Sequence, residues 1–143
     1  MQYVSFTVPG DPVGFMNNRN SWTKNGKRYC AYRDKVVIYA LKAGLQLPLK
    51  PTREKVYHIM TTAIYRVGKG KVPDPENVAK AVKDALCYRG RMPGKKKGYG
   101  DDFWTSGEYN HPMFGAEPCV VVTVREVSDA EIFIGTAKVV HSP

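Results

Sequence analysis

From Val72 to Leu86 a turn rich in proline and acid runs directly into a regular helical period, and this segment restricts the possible folds more than any other. Asp74 stands before Pro75, the pairing of an N-cap side chain with a first-turn proline that starts helices. At about 100° per residue, Val78, Ala79, Ala81, Val82, Ala85 and Leu86 fill one arc, and Glu76, Asn77, Lys80, Lys83 and Asp84 fill the opposite one. Such a helix cannot stand alone in water, because its apolar face must be covered by a sheet or by another helix.

The covering elements are legible. Tyr3 to Val8 alternates, with Val4, Phe6 and Val8 on one face, and closes at Pro9-Gly10-Asp11-Pro12 as a strand and turn. Val56 to Tyr65 is rich in β-branched and aromatic residues and reads as a central strand; Cys119 to Val127 reads as another. Between Tyr32 and Ala43, Val36, Val37, Tyr39, Ala40 and Leu41 recur at helical spacing before Gly44, which predicts the other main helix. The remainder reads as connections: a long polar loop from Val13 to Tyr29, a linker from Pro48 to Pro51, and a basic loop over Arg66 to Lys71. A glycine-rich basic loop covers Cys87 to Gly100, and a turn-rich stretch covers Thr105 to Pro118. Ser128 to Pro143 hold an apolar run, Ile132-Phe133-Ile134, between polar ends and show no clear period. The order strand, helix, strand, helix, strand predicts an α+β fold: one compact domain over residues 1–143, a small mixed β-sheet packed with two main helices.

A chain of 143 residues supports one hydrophobic core but hardly two. Lys and Arg number 22 against 13 Asp and Glu, a net charge of +9, which points to a polyanionic partner. No run approaches the roughly 18 apolar residues of a membrane span, and no secretion signal opens the chain, so a cytoplasmic protein with no membrane partner is expected. Cys30, Cys87 and Cys119 give neither a disulfide framework nor a CxxC spacing, and a zinc site from Cys119 and His111 lacks visible partners.

Chemistry is suggested by the acids. Cutting a phosphodiester needs a nucleophilic water and neutralisation of developing charge, which hard divalent ions supply when carboxylates hold them in a basic cleft. Asp74 and Glu76 lie on one tight turn, Asp101 and Asp102 follow a distant loop, and Lys80 sits one helical turn from Glu76. The same residues also have a plain structural reading: Asp74 as a cap, Glu76 as a favourable first-turn charge, and Glu76–Lys80 and Lys80–Asp84 as surface pairs.

The run Asp74-Pro75-Glu76-Asn77-Val78-Ala79-Lys80-Ala81-Val82-Lys83-Asp84-Ala85-Leu86, followed by Asp101-Asp102, resembles the D-x-D-N-x-x-K-x-x-x-D-A-L and D-D signature of the RusA-type Holliday junction resolvases. Val8-Pro9-Gly10-Asp11-Pro12, Asn17-Asn18-Arg19 and Ala31-Tyr32-Arg33-Asp34 resemble that family's first turn and the start of its first helix, so the likeness spans about Tyr3 to Val127. It implies a RusA-like fold and a homodimer that binds a four-way DNA junction and makes paired nicks with Mg²⁺ or Mn²⁺. By position, Asp74, Glu76 and Asp102 would be the essential metal-binding carboxylates, Asp101 and Asp84 their neighbours, Asn77 an orienting amide and Lys80 the catalytic cation. Glu76 stands where the family's motif has Asp, and the segment from Leu86 to Asp101 is longer and more basic than the motif leads one to expect.

Backbone binding to DNA is the role expected of the basic residues flanking these acids, Arg19, Lys24, Lys27, Arg28, Lys69, Lys71, Arg89, Arg91, Lys95, Lys96 and Lys97, with a solvated surface position as the alternative for any single one. Phe15, Trp22, Tyr99, Phe103 and Trp104 are candidates for stacking on bases, with core packing as the default for each. A catalytically weak DNA-binding protein of the same fold, or a flap or branched-DNA nuclease, would carry the same features.

Overall fold

The structure, a computed structural model, describes residues 3–16, 22–52, 54–88 and 105–128. In chain order its elements are β1 (Tyr3–Pro9), α1 (Lys24–Lys42), β2 (Lys55–Arg66), α2 (Pro75–Tyr88), β3 (Thr105–Tyr109), β4 (Met113–Gly115) and β5 (Cys119–Ser128). The strands form one mixed sheet in the order β1-β5-β2-β3, with β4 also paired to β2 beyond the end of β3. β5 is antiparallel to both β1 and β2, whereas β3 and β4 run parallel to β2. Parallel neighbours cannot be joined by a tight hairpin, and α2 lies on the crossover between β2 and β3.

Alternation along the strands decides which face is covered. Ile59, Ala63 and Tyr65 of β2, Val120, Val122 and Val124 of β5, and Phe6 and Val8 of β1 are buried in one cluster with Val36, Val37 and Ala40 of α1 and Val78, Val82, Ala85 and Leu86 of α2. Two helices thus cover one face of a five-stranded sheet, the α+β arrangement expected from the sequence. Polar pairs occupy the other face, among them Ser5 with Thr123 at 3.1 Å and His58 with Ser106 at 2.7 Å. Among the described residues no helix is long and apolar enough to cross a membrane.

Several connections are more regular than the sequence suggests. The polar loop ends early: Thr23 caps α1 through a 2.9 Å bond from the Gly26 amide, and the helix begins at Lys24. Asn25-Gly26 looks like a breaker, yet glycine in a first turn is inexpensive once a cap satisfies its amide. The stretch Thr105 to Pro118 contributes β3 and β4, short edge strands whose side chains are largely exposed and therefore carry no apolar alternation. The Pro48 to Pro51 segment is not a free linker, since Leu49 is buried and its amide donates to the Leu86 carbonyl at 2.9 Å.

Candidate active site

Asp74 performs the capping that its sequence position implies. The Asn77 amide donates to its Oδ1 at 2.8 Å, the Asn77 Nδ2 approaches its Oδ2 at 3.3 Å, and its carbonyl accepts the Val78 amide at 3.1 Å. Each carboxylate has about four acceptor positions, so these local bonds leave capacity facing solvent, and Asp74 is exposed. Glu76 is also exposed, in the first turn of α2, and lies 3.6 Å from the Lys80 ammonium. Asn77 therefore orients Asp74, and the Glu76–Lys80 pair expected from the sequence is formed.

The turn that presents Asp74 is held from below and from the side. Tyr65, buried near the end of β2, donates its hydroxyl to the Pro73 carbonyl at 2.5 Å. Burial, and then the neighbouring negative charge of Asp74, push the Tyr65 hydroxyl above its ordinary pKa, so it remains a donor at neutral pH. From the side, the Phe15 amide donates to the Asn77 carbonyl at 2.9 Å. Gly14 is required for this approach: a Cβ there would lie 2.9 Å from the Pro73 Cβ, closer than two carbons tolerate. Phe15 packs edge-on against Tyr29 with ring centroids 6.0 Å apart, so its role in the fold is packing.

Cations gather on the flank of the same turn. Arg28 of α1 and Lys69 and Lys71 of the loop after β2 line a cavity of about 390 Å³ together with Asp11, Tyr65 and Pro73. Asp11 is the one acid among these lining residues; its carboxylate meets Lys69 at 2.8 Å, and that bond holds its pKa below the usual value. Lys24, Lys27 and Arg28 lie in the opening turns of α1, which has no acidic residue in its first turn. A helix N-terminus is already electropositive, and acids there would stabilise it by about 0.3–1 kcal/mol each. Placing cations there instead costs helix stability and concentrates positive potential at that end of α1, where Arg28 shares a cavity with Pro73. Lys24, Lys27 and Arg28 thus stand on a helix and not in the loop that the sequence suggests.

Asp84 departs from the sequence reading. It is 3% exposed, not on a solvated face; the Tyr29 hydroxyl donates to its Oδ2 at 2.6 Å, and Arg33 approaches the same oxygen at 3.4 Å. Ten residues beyond Asp74 on the helix, it stands about 15 Å further along the axis at 1.5 Å per residue. It is therefore a clamp between the helices and not a neighbour of the Asp74 carboxylate, nor does it form the surface pair with Lys80. On a helical wheel it lies within the polar arc, so the helical period alone carries no signal of its burial.

Other expected site residues, Arg19, Arg89, Arg91, Lys95, Lys96, Lys97, Asp101 and Asp102, lie outside the described residues, as do the stacking candidates Tyr99, Phe103 and Trp104. Among the described residues no three His, Cys, Asp or Glu side chains gather as a metal site, and the cysteines are free thiols. Trp22 is 75% exposed, unlike a core residue. Sequence reasoning missed Tyr65, Asp11 and Gly14, whose importance comes from spatial neighbours far away in the chain. Compared with protein-family models and with curated protein sequences, the chain matches none.

Proposed function

We propose that this chain is a metal-dependent endodeoxyribonuclease that resolves four-way DNA junctions by paired phosphodiester hydrolysis, as its resemblance to the RusA-type resolvases implies. The observation that carries the reading is the adjacency of two opposite features: a cationic cavity formed by Arg28, Lys69 and Lys71, and an exposed acidic turn at Asp74 and Glu76. The cavity's cations would hold a backbone phosphate without reading sequence. Asp74 and Glu76 supply hard oxygen donors of the type that Mg²⁺ or Mn²⁺ prefers, with Asp102 and Asp101 as the further carboxylates. A bound divalent ion would supply a Lewis acid and lower the pKa of an attacking water. The protein's own part is positional: Asn77 fixes Asp74, Tyr65 fixes the turn, and Lys80 places an ammonium where negative charge builds during cleavage. Paired cuts need a matching second site, so the functional unit in this reading is a C2 homodimer.

The decisive experiment is incubation of the purified protein with a synthetic four-way junction, with and without Mg²⁺, beside the Asp74→Asn variant. Symmetric nicks that need Mg²⁺ and vanish in the variant are expected, while flap and linear duplex controls report structure preference and light scattering reports the dimer. Unchanged cutting by Asp74→Asn would remove this site. A second reading, a DNA-binding protein with weak or no catalysis, draws on the 3.6 Å Glu76–Lys80 pair, in which a would-be metal ligand is already partnered. Junction binding without cutting in either metal would favour it.

A further inference from the structure

Beside the acidic turn lies a second hollow of about 200 Å³, between α2 and the β2–β3 edge, lined by Ile59, Thr61, Glu76, Ala79, Lys80, Lys83, Gly107 and Tyr109. Its composition differs from that of the cationic cavity. Ile59, Ala79 and the bare backbone of Gly107 make an apolar floor, Tyr109 stands 51% exposed at one side, and Lys80 and Lys83 sit on the helix at the other. Thr61 is 1% exposed, yet its hydroxyl has no hydrogen-bond partner among the described residues. An unpaired hydroxyl in such a place is costly and calls for a reason. Register explains how the parts meet: Ile59 pairs with Gly107 and Thr61 with Tyr109 on parallel strands, so Ile59, Thr61 and Tyr109 share one sheet face and Gly107 leaves a gap on it.

We infer that this hollow receives one unpaired nucleobase of the DNA, a reading that rests on the nuclease function proposed above. The volume is below the roughly 300–1,000 Å³ of a site for a drug-sized molecule and on the scale of a single planar ring system. A base offers a π-face for Tyr109 and, once the buried Thr61 side chain turns about χ1, polar edge atoms for its hydroxyl, while its flanking phosphates meet Lys80 and Lys83. Glu76 and Lys80 belong both to this hollow and to the candidate active site, so the captured base is that of a nucleotide next to the phosphate to be cut. The consequence is selectivity for branched DNA. Extracting a base from intact duplex costs unstacking and unpairing, whereas a branch point supplies a base already loosened.

The test is an anisotropy titration of the full chain, in EDTA so that no strand is cut, against labelled four-way junctions. In these, nucleotides near the branch point are replaced one at a time by an abasic tetrahydrofuran. Wild-type protein should lose about tenfold in affinity at one position, the size of a single base-stacking contact. Gly107→Val fills the hollow with little strain, because among the described residues a Cβ at 107 meets only the Ile59 carbonyl oxygen, at 3.7 Å. That variant should bind intact and abasic junctions alike, at the weaker affinity. Thr61→Val, which removes the unpaired hydroxyl at constant shape, should raise the melting temperature while reducing the abasic effect. Junction binding that no abasic substitution weakens, or a Gly107→Val protein that still distinguishes abasic DNA, overturns the base site and leaves the nuclease reading standing. Failure of wild-type protein to bind any DNA removes both. A Gly107→Val protein with altered mass in solution and unchanged base dependence would assign the hollow to a side chain of a second copy instead.

Discussion

The Tyr29 hydroxyl donates a 2.6 Å hydrogen bond to the Asp84 carboxylate, joining α1 to α2 at a buried point. Arg33 reaches the same oxygen from one turn further along α1. This clamp holds α1 against α2. Its energetics follow from burial: a carboxylate removed from water is tolerated only while its partners remain.

Asp84→Ala leaves the Tyr29 hydroxyl without this acceptor and is expected to lower unfolding free energy by about 2–4 kcal/mol. Asp84→Asn retains an acceptor oxygen and should lose less. Urea denaturation gives both values. If Asp84 serves the fold and not the metal, the Mg²⁺ dependence of cleavage in Asp84→Asn should match that of the wild type.

Asp74 combines a cap with a charge, and substitution separates the two. Asparagine caps about as well as aspartate, whereas alanine costs about 1 kcal/mol. Asp74→Asn should therefore unfold at nearly the wild-type urea concentration and Asp74→Ala at a lower one, with cleavage reduced at least about 100-fold in both. Cutting that survives in Asp74→Asn but falls in Asp74→Ala would mean that only the cap matters.

Asp11 neutralises part of the cationic cavity through its 2.8 Å pair with Lys69. Asp11→Asn should release Lys69 and tighten DNA binding, most at low salt. The pH dependence has a defined sign. Lys69 holds the Asp11 carboxyl below its ordinary value of 3.8, so the contribution of the pair to stability is complete above that value and is lost as pH falls through the lowered folded-state pKa. Between pH 5 and 8, roughly the range in which most proteins are at their most stable, Asp11→Asn should leave the shape of the stability curve unchanged. A melting-temperature series over pH compares the two proteins.

Arg28, Lys69 and Lys71 share one cavity, and each is expected to neutralise about one phosphate. Alanine at any of them should weaken binding to all DNA sequences alike and reduce the slope of log affinity against log salt by about 0.9 on duplex arms. Salt titration of each variant measures that slope. A change in sequence preference, or an unchanged slope, would place these side chains away from the phosphates.

Much of this architecture follows from local pattern. The arc from Val78 to Leu86, the alternation of Tyr3 to Val8 and the β-branched runs around Ile59 and Val122 are periodicities enforced by burial, and periodicity is visible one residue at a time. The Asp74 cap is similarly local, since donor and acceptor are three residues apart. Edge strands bury little and leave no such trace, which is why β3 and β4 were hidden in a polar stretch. The opening turns of α1 were hidden because the Thr23 cap stabilises a sequence with poor helical propensity.

By itself, then, the sequence determined which segments are strands and helices with a covered face, and that Asp74 begins α2. It also set the net charge of +9. Tertiary structure alone decided that Asp84 turns inward to Tyr29, that Arg28, Lys69 and Lys71 converge, and that Thr61, Gly107 and Tyr109 open onto Glu76 and Lys80. The physical reason is range. Hydrogen-bonded turns and side-chain periods act over a few neighbouring residues, whereas a cavity or a buried ion pair joins residues whose proximity only strand pairing and helix packing create.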